Sequence, residues 1–233
     1  MTSKKDPAVE RLLDQWASSQ GTAPLSETTR AGIQTTLARS FKPVRRLASQ
    51  PRLALTFFGV FAAGSLILMA ILDKAGFHLM TRWQMVWMTV IFAAGAMLFS
   101  STLAADMVPG SRRRMPFALV LTLSASSVIA AIALLFPWRT SSAFVSEGRP
   151  CGLVELIVAI PAAAVFWLLA RRGVLFASAG LGAALTGLGV FLALTPLQFQ
   201  CMFQQAPHLL VWHAGTAMML IGLGAWAGQR LRP

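Results

Sequence analysis

The side chains with the greatest chemical reactivity in this 233-residue sequence are two cysteines and the two histidines that follow the second one. Cys151 and Cys201 are the only cysteines, and His208 and His213 come shortly after Cys201. In an oxidising compartment such a pair is a structural disulfide, or a redox-active or metal-binding site. Thiolate and imidazole are also ligands that zinc and softer, thiophilic metals prefer. Three roles stay open for the cysteines: a sensing thiol pair, a structural disulfide, or simple packing.

Other polar side chains near the cysteines indicate how a ligand could be held. Glu155 lies four residues after Cys151, so a continuous helix would place both on one face. We expect Glu155, His208 and His213 to supply metal ligands or polar support, with His213 the stronger of the two histidines. The alternative is that they are interfacial polar residues satisfied by water. The spacing Cys-x6-His-x4-His is not a standard zinc motif. We therefore expect no cofactor, apart from a thiophilic metal if one binds at Cys151 and Cys201.

Two apolar runs between the cysteines bring them to the same side of a membrane. The runs cover about residues 153–170 and 174–195, and each can cross a hydrocarbon core of about 30 Å. The short basic turn Arg171-Arg172-Gly173 makes them antiparallel neighbours, with axes about 8–10 Å apart. A disulfide needs Cα atoms within about 7 Å, and the segment after the second run can close that difference. The sequence therefore predicts that the two cysteines lie close together.

The composition places the whole chain in the membrane-protein class. It is 56% hydrophobic and only 12% charged, whereas soluble domains carry about 25% charged residues. Six runs are long enough to span: about 53–72, 85–104, 117–137, 153–170, 174–195 and 209–227. We predict an all-α fold in which residues 51–233 form a six-helix transmembrane bundle. The net charge of +12 is spread over short clusters between the runs, so we expect no direct nucleic-acid binding.

The basic clusters also predict the orientation. The N-terminal segment, residues 112–114, residues 171–172 and the C-terminal arginines are rich in positive charge, and the connectors between them are poorer. Positive charge accumulates on the cytoplasmic side of a bilayer. We therefore expect both termini in the cytoplasm and both cysteines outside.

Residues 1–50 are polar and predict a short helical segment in the cytoplasm. Two amphipathic helices are indicated by apolar side chains at helical spacing. Their apolar stripes contain Val9, Leu12, Leu13, Trp16, Ile33, Leu37 and Phe41. Such stripes favour either docking on a partner protein or lying on the lipid surface beside basic residues.

Enzyme chemistry has no visible carrier in the sequence, and we expect a non-enzymatic protein. There is no phosphate loop, no HExxH and no GxSxG motif. The Gly-rich fifth and sixth runs favour close helix packing, or homo-oligomerisation. A small transporter or channel with an outer Cys/His vestibule is the alternative, but the mid-span positions are nearly all apolar.

The order of these features resembles a known family. A Pro43-Val-Arg-Arg-Leu47 stretch precedes the six runs, and the second half then follows a fixed order. That order is Cys151, Pro161, the Arg-Arg-Gly turn, a Gly-rich run, Cys201, and His208-x3-Trp212-His213-x-Gly215. It is similar to the NrsF family, the negative regulators of sigma F. The resemblance implies a bacterial inner-membrane anti-sigma factor whose N-terminal segment binds an extracytoplasmic-function sigma factor and keeps it from RNA polymerase. It also implies that Cys151 and Cys201 take part in sensing a metal or oxidative stress.

Overall fold

The computed structural model describes residues 48–72, 75–108, 115–171 and 178–230, together with seven isolated positions nearer the N-terminus. Those seven positions are helical and exposed: Arg11, Gln15, Ser18, Thr28, Ala31, Gly32 and Thr35. The chain forms two compact units, Met1–Arg46 and Leu47–Pro233. The apolar stripes fall outside the described residues, so their role in binding stays a prediction; they are Val9, Leu12, Leu13, Trp16, Ile33, Leu37 and Phe41.

The second unit consists of helices, and its described ranges contain no strand. Six of the helices are long and apolar enough to cross a membrane. They are α1 (Gln50–Ile71), α2 (Arg82–Met107), α3 (Phe117–Leu135), α4 (Phe144–Ala170), α5 (Ala179–Gln200) and α6 (Ala206–Arg230). The predicted all-α class with six spanning helices is confirmed.

Several helix ends differ from the predicted runs. α4 begins at Phe144, about nine residues before the apolar run, and α5 continues to Gln200, beyond the predicted end at 195. Hydropathy marks the length of helix that can face lipid, and a helix can extend past it with polar residues. The predicted run places Cys151 at the start of the fourth helix, whereas in the structure it lies inside α4.

The connectors between helices are held together at one end of the bundle. Thr81 caps α2, because its Oγ1 accepts from the Gln84 backbone N–H at 3.3 Å while the Gln84 side chain accepts from the Thr81 N–H at 2.7 Å. Gln84 Nε2 also donates to the carbonyl of Leu135 at 2.7 Å, which ties the start of α2 to the end of α3. The Ala206 N–H donates to the Pro137 carbonyl at 2.9 Å, so α6 starts at the same place. We call this end of the bundle, where α1, α3 and α5 finish, the cysteine end. The opposite end, where α1 begins and α6 finishes, is the terminal end.

α5 is the central helix of the bundle. It packs against α1, α2, α4 and α6, and almost all of its side chains are buried. The other helices expose large apolar side chains, such as Leu66, Leu134 and Ile157. A contiguous apolar exterior of this kind is unfavourable in water and suits a hydrocarbon environment. The structure is therefore that of a multi-pass membrane protein.

α5 and α6 approach so closely that only glycine fits between them. A Cβ atom on Gly182 would overlap the carbonyl of Gly224, and one on Gly224 would overlap the hydroxyl of Thr186. By contrast, a Cβ atom on Gly222 would meet nothing within 4 Å. The glycines at 182 and 224 thus serve packing within the chain, which was one of the two interpretations of the Gly-rich runs.

Candidate functional site

The structure brings Cys151 and Cys201 together at the cysteine end. Cys151 lies on α4, and Cys201 directly follows the last residue of α5. Their Sγ atoms are 3.9 Å apart and both residues are free thiols. A disulfide bond is about 2.0 Å long, so the two sulfur atoms are in contact without being bonded.

Two histidines of α6 complete a cluster with the thiols. His208 Nε2 lies 3.5 Å from Cys201 Sγ, and the rings of His208 and His213 meet edge to face with centroids 5.7 Å apart. Both imidazoles are almost fully buried, each with 2% of its surface exposed. One potential ligand atom from each of the four residues lies within 4.8 Å of every other. We call Cys151, Cys201, His208 and His213 the thiol–imidazole site.

A π-helix explains why the two histidines share one face. Residues Leu209–Gly215 form π-helical turns inside α6. In an α-helix, residues five apart point about 140° away from each other. A π-helix hydrogen-bonds residues five apart and so stacks them, as it does here for His208 and His213. The sequence spacing gave no metal motif because Cys-x6-His-x4-His is not a standard zinc spacing. In the sequence, the signal that could have indicated the site is the five-residue spacing from His208 to His213, followed by Gly215.

The site contains buried polar atoms that lack protein partners. Within the described ranges, three ring nitrogens lack a hydrogen-bond partner: both nitrogens of His213, and Nδ1 of His208. The same holds for Nε1 of Trp212 and Oε1 of Gln200. A buried polar group left unsatisfied costs about 1–3 kcal/mol. A polar or charged group bound beside the histidines would satisfy some of these atoms.

Glu155 lies beside the site but does not belong to the cluster. It is on α4, one helical turn after Cys151, and it is fully buried. Neither carboxylate oxygen has a hydrogen-bond partner among the described residues. Its carboxylate is not among the four ligand atoms that lie within 4.8 Å of one another.

A cleft connects the thiols with the outside of the bundle. It has a volume of about 470 Å³, and the residues lining it include Glu147, Cys151, Cys201, Met202 and Phe203. Cys151 is partly exposed, whereas Cys201 is 4% exposed. The hydrogen bond with Cys151, together with burial, raises the pKa of the Cys201 thiol. Because Cys151 lines the cleft and is partly exposed, small ions or oxidants can reach the pair from the Cys151 side.

The fold and the site together define a class. Six helices long and apolar enough to span a membrane carry the thiol–imidazole site at one end of their bundle. That is compatible with a multi-pass membrane protein. The chain belongs to the NrsF family, described as negative regulator of sigma F, whose sequence profile matches residues 37–232. It is thus a negative regulator of a sigma factor, an anti-sigma factor, and the resemblance seen in the sequence is confirmed. No curated protein and no solved structure matches the chain.

Proposed function

We propose that the protein binds an extracytoplasmic-function sigma factor at a bacterial inner membrane and releases it when the thiol–imidazole site is modified from outside. Both termini are cytoplasmic in this proposal. The sigma factor is held by the apolar stripes of residues 1–50, in the way that an amphipathic helix occupies a groove. Cys151 and Cys201 act as the sensing pair. The role is regulatory and not enzymatic.

The observation that carries the proposal is the separation of the site from the terminal end. The reactive side chains of the described residues cluster where α5 finishes, while the N-terminal unit joins the chain just before α1 begins. Arg171 and Arg230 also lie at the terminal end, as a cytoplasmic face requires. In this proposal the sensor and the output lie on opposite faces of the membrane.

A route between the two faces is provided by α5. α5 extends from the thiol–imidazole site to the terminal end and packs against α1. Its contact with α6 is backbone against backbone at Gly182 and Gly224, so a shift of one helix along this contact would require a shift of the other. Close-packed elements pass on small shifts because they switch between discrete arrangements. A useful response needs a coupling free energy of about 1–3 kcal/mol.

The alternative of a small transporter or channel has less support. A transport path needs polar or charged groups near the middle of several spans. In the described helices the larger buried polar side chains are Glu155, Gln198, His208 and His213, and all of them lie towards the cysteine end. The buried polar residues elsewhere are serines and threonines, such as Ser65 and Ser100.

The test is repression and co-purification with the full-length chain in membranes. Each extracytoplasmic-function sigma factor of the host bacterium is expressed with the chain and with its own promoter reporter. We expect one of them to be repressed and to co-purify. Replacing both Trp16→Ala and Phe41→Ala should weaken this binding by more than about 2 kcal/mol, roughly 30-fold, because two apolar anchors are lost. Trp83→Ala is the control, since Trp83 is an exposed tryptophan at the cysteine end.

Two results would contradict the proposal. If no sigma factor is repressed or retained, the binding assignment is wrong. If the double variant represses as well as the unchanged chain while residues 1–50 bind vesicles of anionic lipid, the stripes lie on the membrane and do not hold the partner.

A further inference from the structure

We propose that Cys151, Cys201, His208 and His213 bind one zinc ion in a tetrahedral site with two sulfur and two nitrogen ligands. Binding of the ion stands on the geometry alone. A regulatory consequence rests on the proposed function: zinc occupancy sets whether the sigma factor is held.

The distances between the ligand atoms fit a tetrahedral ion. Zinc bonds of about 2.3 Å to sulfur and about 2.0–2.1 Å to nitrogen place two thiolates about 3.8 Å apart, and a thiolate and an imidazole about 3.6 Å apart. The structure has 3.9 Å between the two Sγ atoms and 3.5 Å between Cys201 Sγ and His208 Nε2. All the ligand atoms lie within 4.8 Å of one another, so the largest possible excess over the tetrahedral spacing is small.

The unpartnered imidazole atoms are an independent sign of a ligand. His213 is 2% exposed, and neither of its ring nitrogens has a partner within the described part of the chain. A buried histidine is stable only when its nitrogens are satisfied by protein, water or a metal. A zinc ion between the four residues satisfies one nitrogen of His213 and one of His208.

The charge balance favours a divalent ion. Two thiolates and two neutral imidazoles carry a charge of −2, which Zn²⁺ neutralises, whereas Cu⁺ would leave a negative charge. Three of the four residues are buried, and an uncompensated buried charge is strongly unfavourable. Tetrahedral sets of two sulfur and two nitrogen ligands are typical of zinc.

The local backbone also serves this arrangement. π-helical turns are rare and are found frequently at functional sites. Here the π-helix of Leu209–Gly215 presents His208 and His213 side by side. The cleft at Cys151 and Met202 gives an ion a way in.

The experiment measures metal binding by the full-length chain in detergent under reducing conditions. We expect one equivalent of zinc per chain, and visible absorption typical of tetrahedral, thiolate-bound cobalt when Co²⁺ replaces zinc. His208→Ala and His213→Ala should each weaken Zn²⁺ binding by at least about 100-fold, since even the loss of an outer-shell partner costs about 10–100-fold. His213→Cys should keep one equivalent and add a thiolate to the cobalt spectrum. His78→Ala is the matched control, because His78 is the third histidine of the chain and is exposed between α1 and α2.

Helix content and elution as one species show that each variant is folded. The proposal is overturned if the unchanged chain retains well under one equivalent of Zn²⁺, if the cobalt spectrum is octahedral, if both alanine variants bind like His78→Ala, or if Cu⁺ binds while Zn²⁺ does not. Sigma-factor repression is measured separately in cells. If the chain binds zinc but represses no sigma factor, the metal site stands and the proposed function is wrong. If the chain represses a sigma factor but binds no zinc, only the metal site is wrong.

Discussion

Gln204 donates a hydrogen bond from Nε2 to the backbone carbonyl of Cys201, at 2.7 Å. The same amide reaches the carbonyl of Gln198 at 2.9 Å, and Gln198 Nε2 donates back to Gln204 Oε1 at 2.9 Å. The two glutamines therefore fix the short loop between α5 and α6. Because Cys201 precedes this loop and His208 follows it, the loop sets the distance between thiol and imidazole.

Loosening this loop should weaken the site without removing a ligand. We expect Gln204→Ala to lower Zn²⁺ affinity by about 10–100-fold, the range for residues that orient metal ligands. Competition with a zinc chelator measures the affinity. Gln205→Ala, one position further on, is the control and should bind like the unchanged chain. Equal affinity of the two variants would show that the loop does not orient Cys201.

Replacing the cysteines should separate a sensing role from a structural one. We expect Cys151→Ser and Cys201→Ser each to leave normal amounts of protein in the membrane and a repressed sigma factor that no longer responds to metal or oxidant. The physical reason is that the thiols are in contact without holding the helices together covalently. Membrane abundance and sigma-dependent transcription are measured together, with and without stress. Low abundance with constitutive transcription would mean a structural pair, and an unaltered stress response in both variants would exclude both roles.

The contact between α5 and α6 should respond sharply to the position of an added side chain. We expect Gly224→Leu to lower the free energy of unfolding by about 1–3 kcal/mol, because the new side chain overlaps Thr186 and the Gly182 backbone. Gly222→Leu, two positions earlier on the same helix, enters open space and should have little effect. Thermal unfolding in detergent, followed by circular dichroism, compares them. A destabilised Gly222→Leu variant that has also lost an oligomeric form would instead locate a contact between copies.

The orientation of the bundle can be measured with reporter fusions. We expect fusions at residues 110–114 and at the C-terminus to report the cytoplasm, and fusions at residues 140–143 to report the outside. The expectation follows from the basic clusters and from the even number of spanning helices. A C-terminus outside the cytoplasm would place the thiol–imidazole site on the wrong side for an external signal.

The fold could be predicted from the sequence because its causes are local. Each apolar run is long enough to span, and the short Arg171-Arg172-Gly173 connector in the sequence predicts that α4 and α5 are antiparallel neighbours. The pairing of Cys151 and Cys201 followed from that turn. The histidines could not be placed in the same way, because the spacing of His208 and His213 has meaning only once the backbone between them is π-helical.

Glu155 shows a second limit of prediction from the sequence. Its helical spacing from Cys151 was read correctly, and both residues lie on α4. The converging ligand atoms come from α4, from the residue after α5 and from the start of α6, and the carboxylate of Glu155 is not among them. A shared helix face in the sequence is therefore not enough to place a side chain among ligands from other helices.

Gly76, in the short 3₁₀ turn between α1 and α2, also bears on the site. A Cβ atom there would overlap the carbonyl of Cys201 and lie 2.8 Å from that of Phe199, and the Phe77 and Phe199 rings are in tilted contact nearby with centroids 5.6 Å apart. The turn, which lies between α1 and α2, is thus pressed against the residue that carries the thiol. A side chain at position 76 would have to displace the backbone of Cys201 or the turn itself. If the thiol–imidazole site is the sensor, as proposed above, we expect the size of residue 76 to act as a set-point for the resting regulator, through the backbone of Cys201 and without altering any of the four ligand side chains.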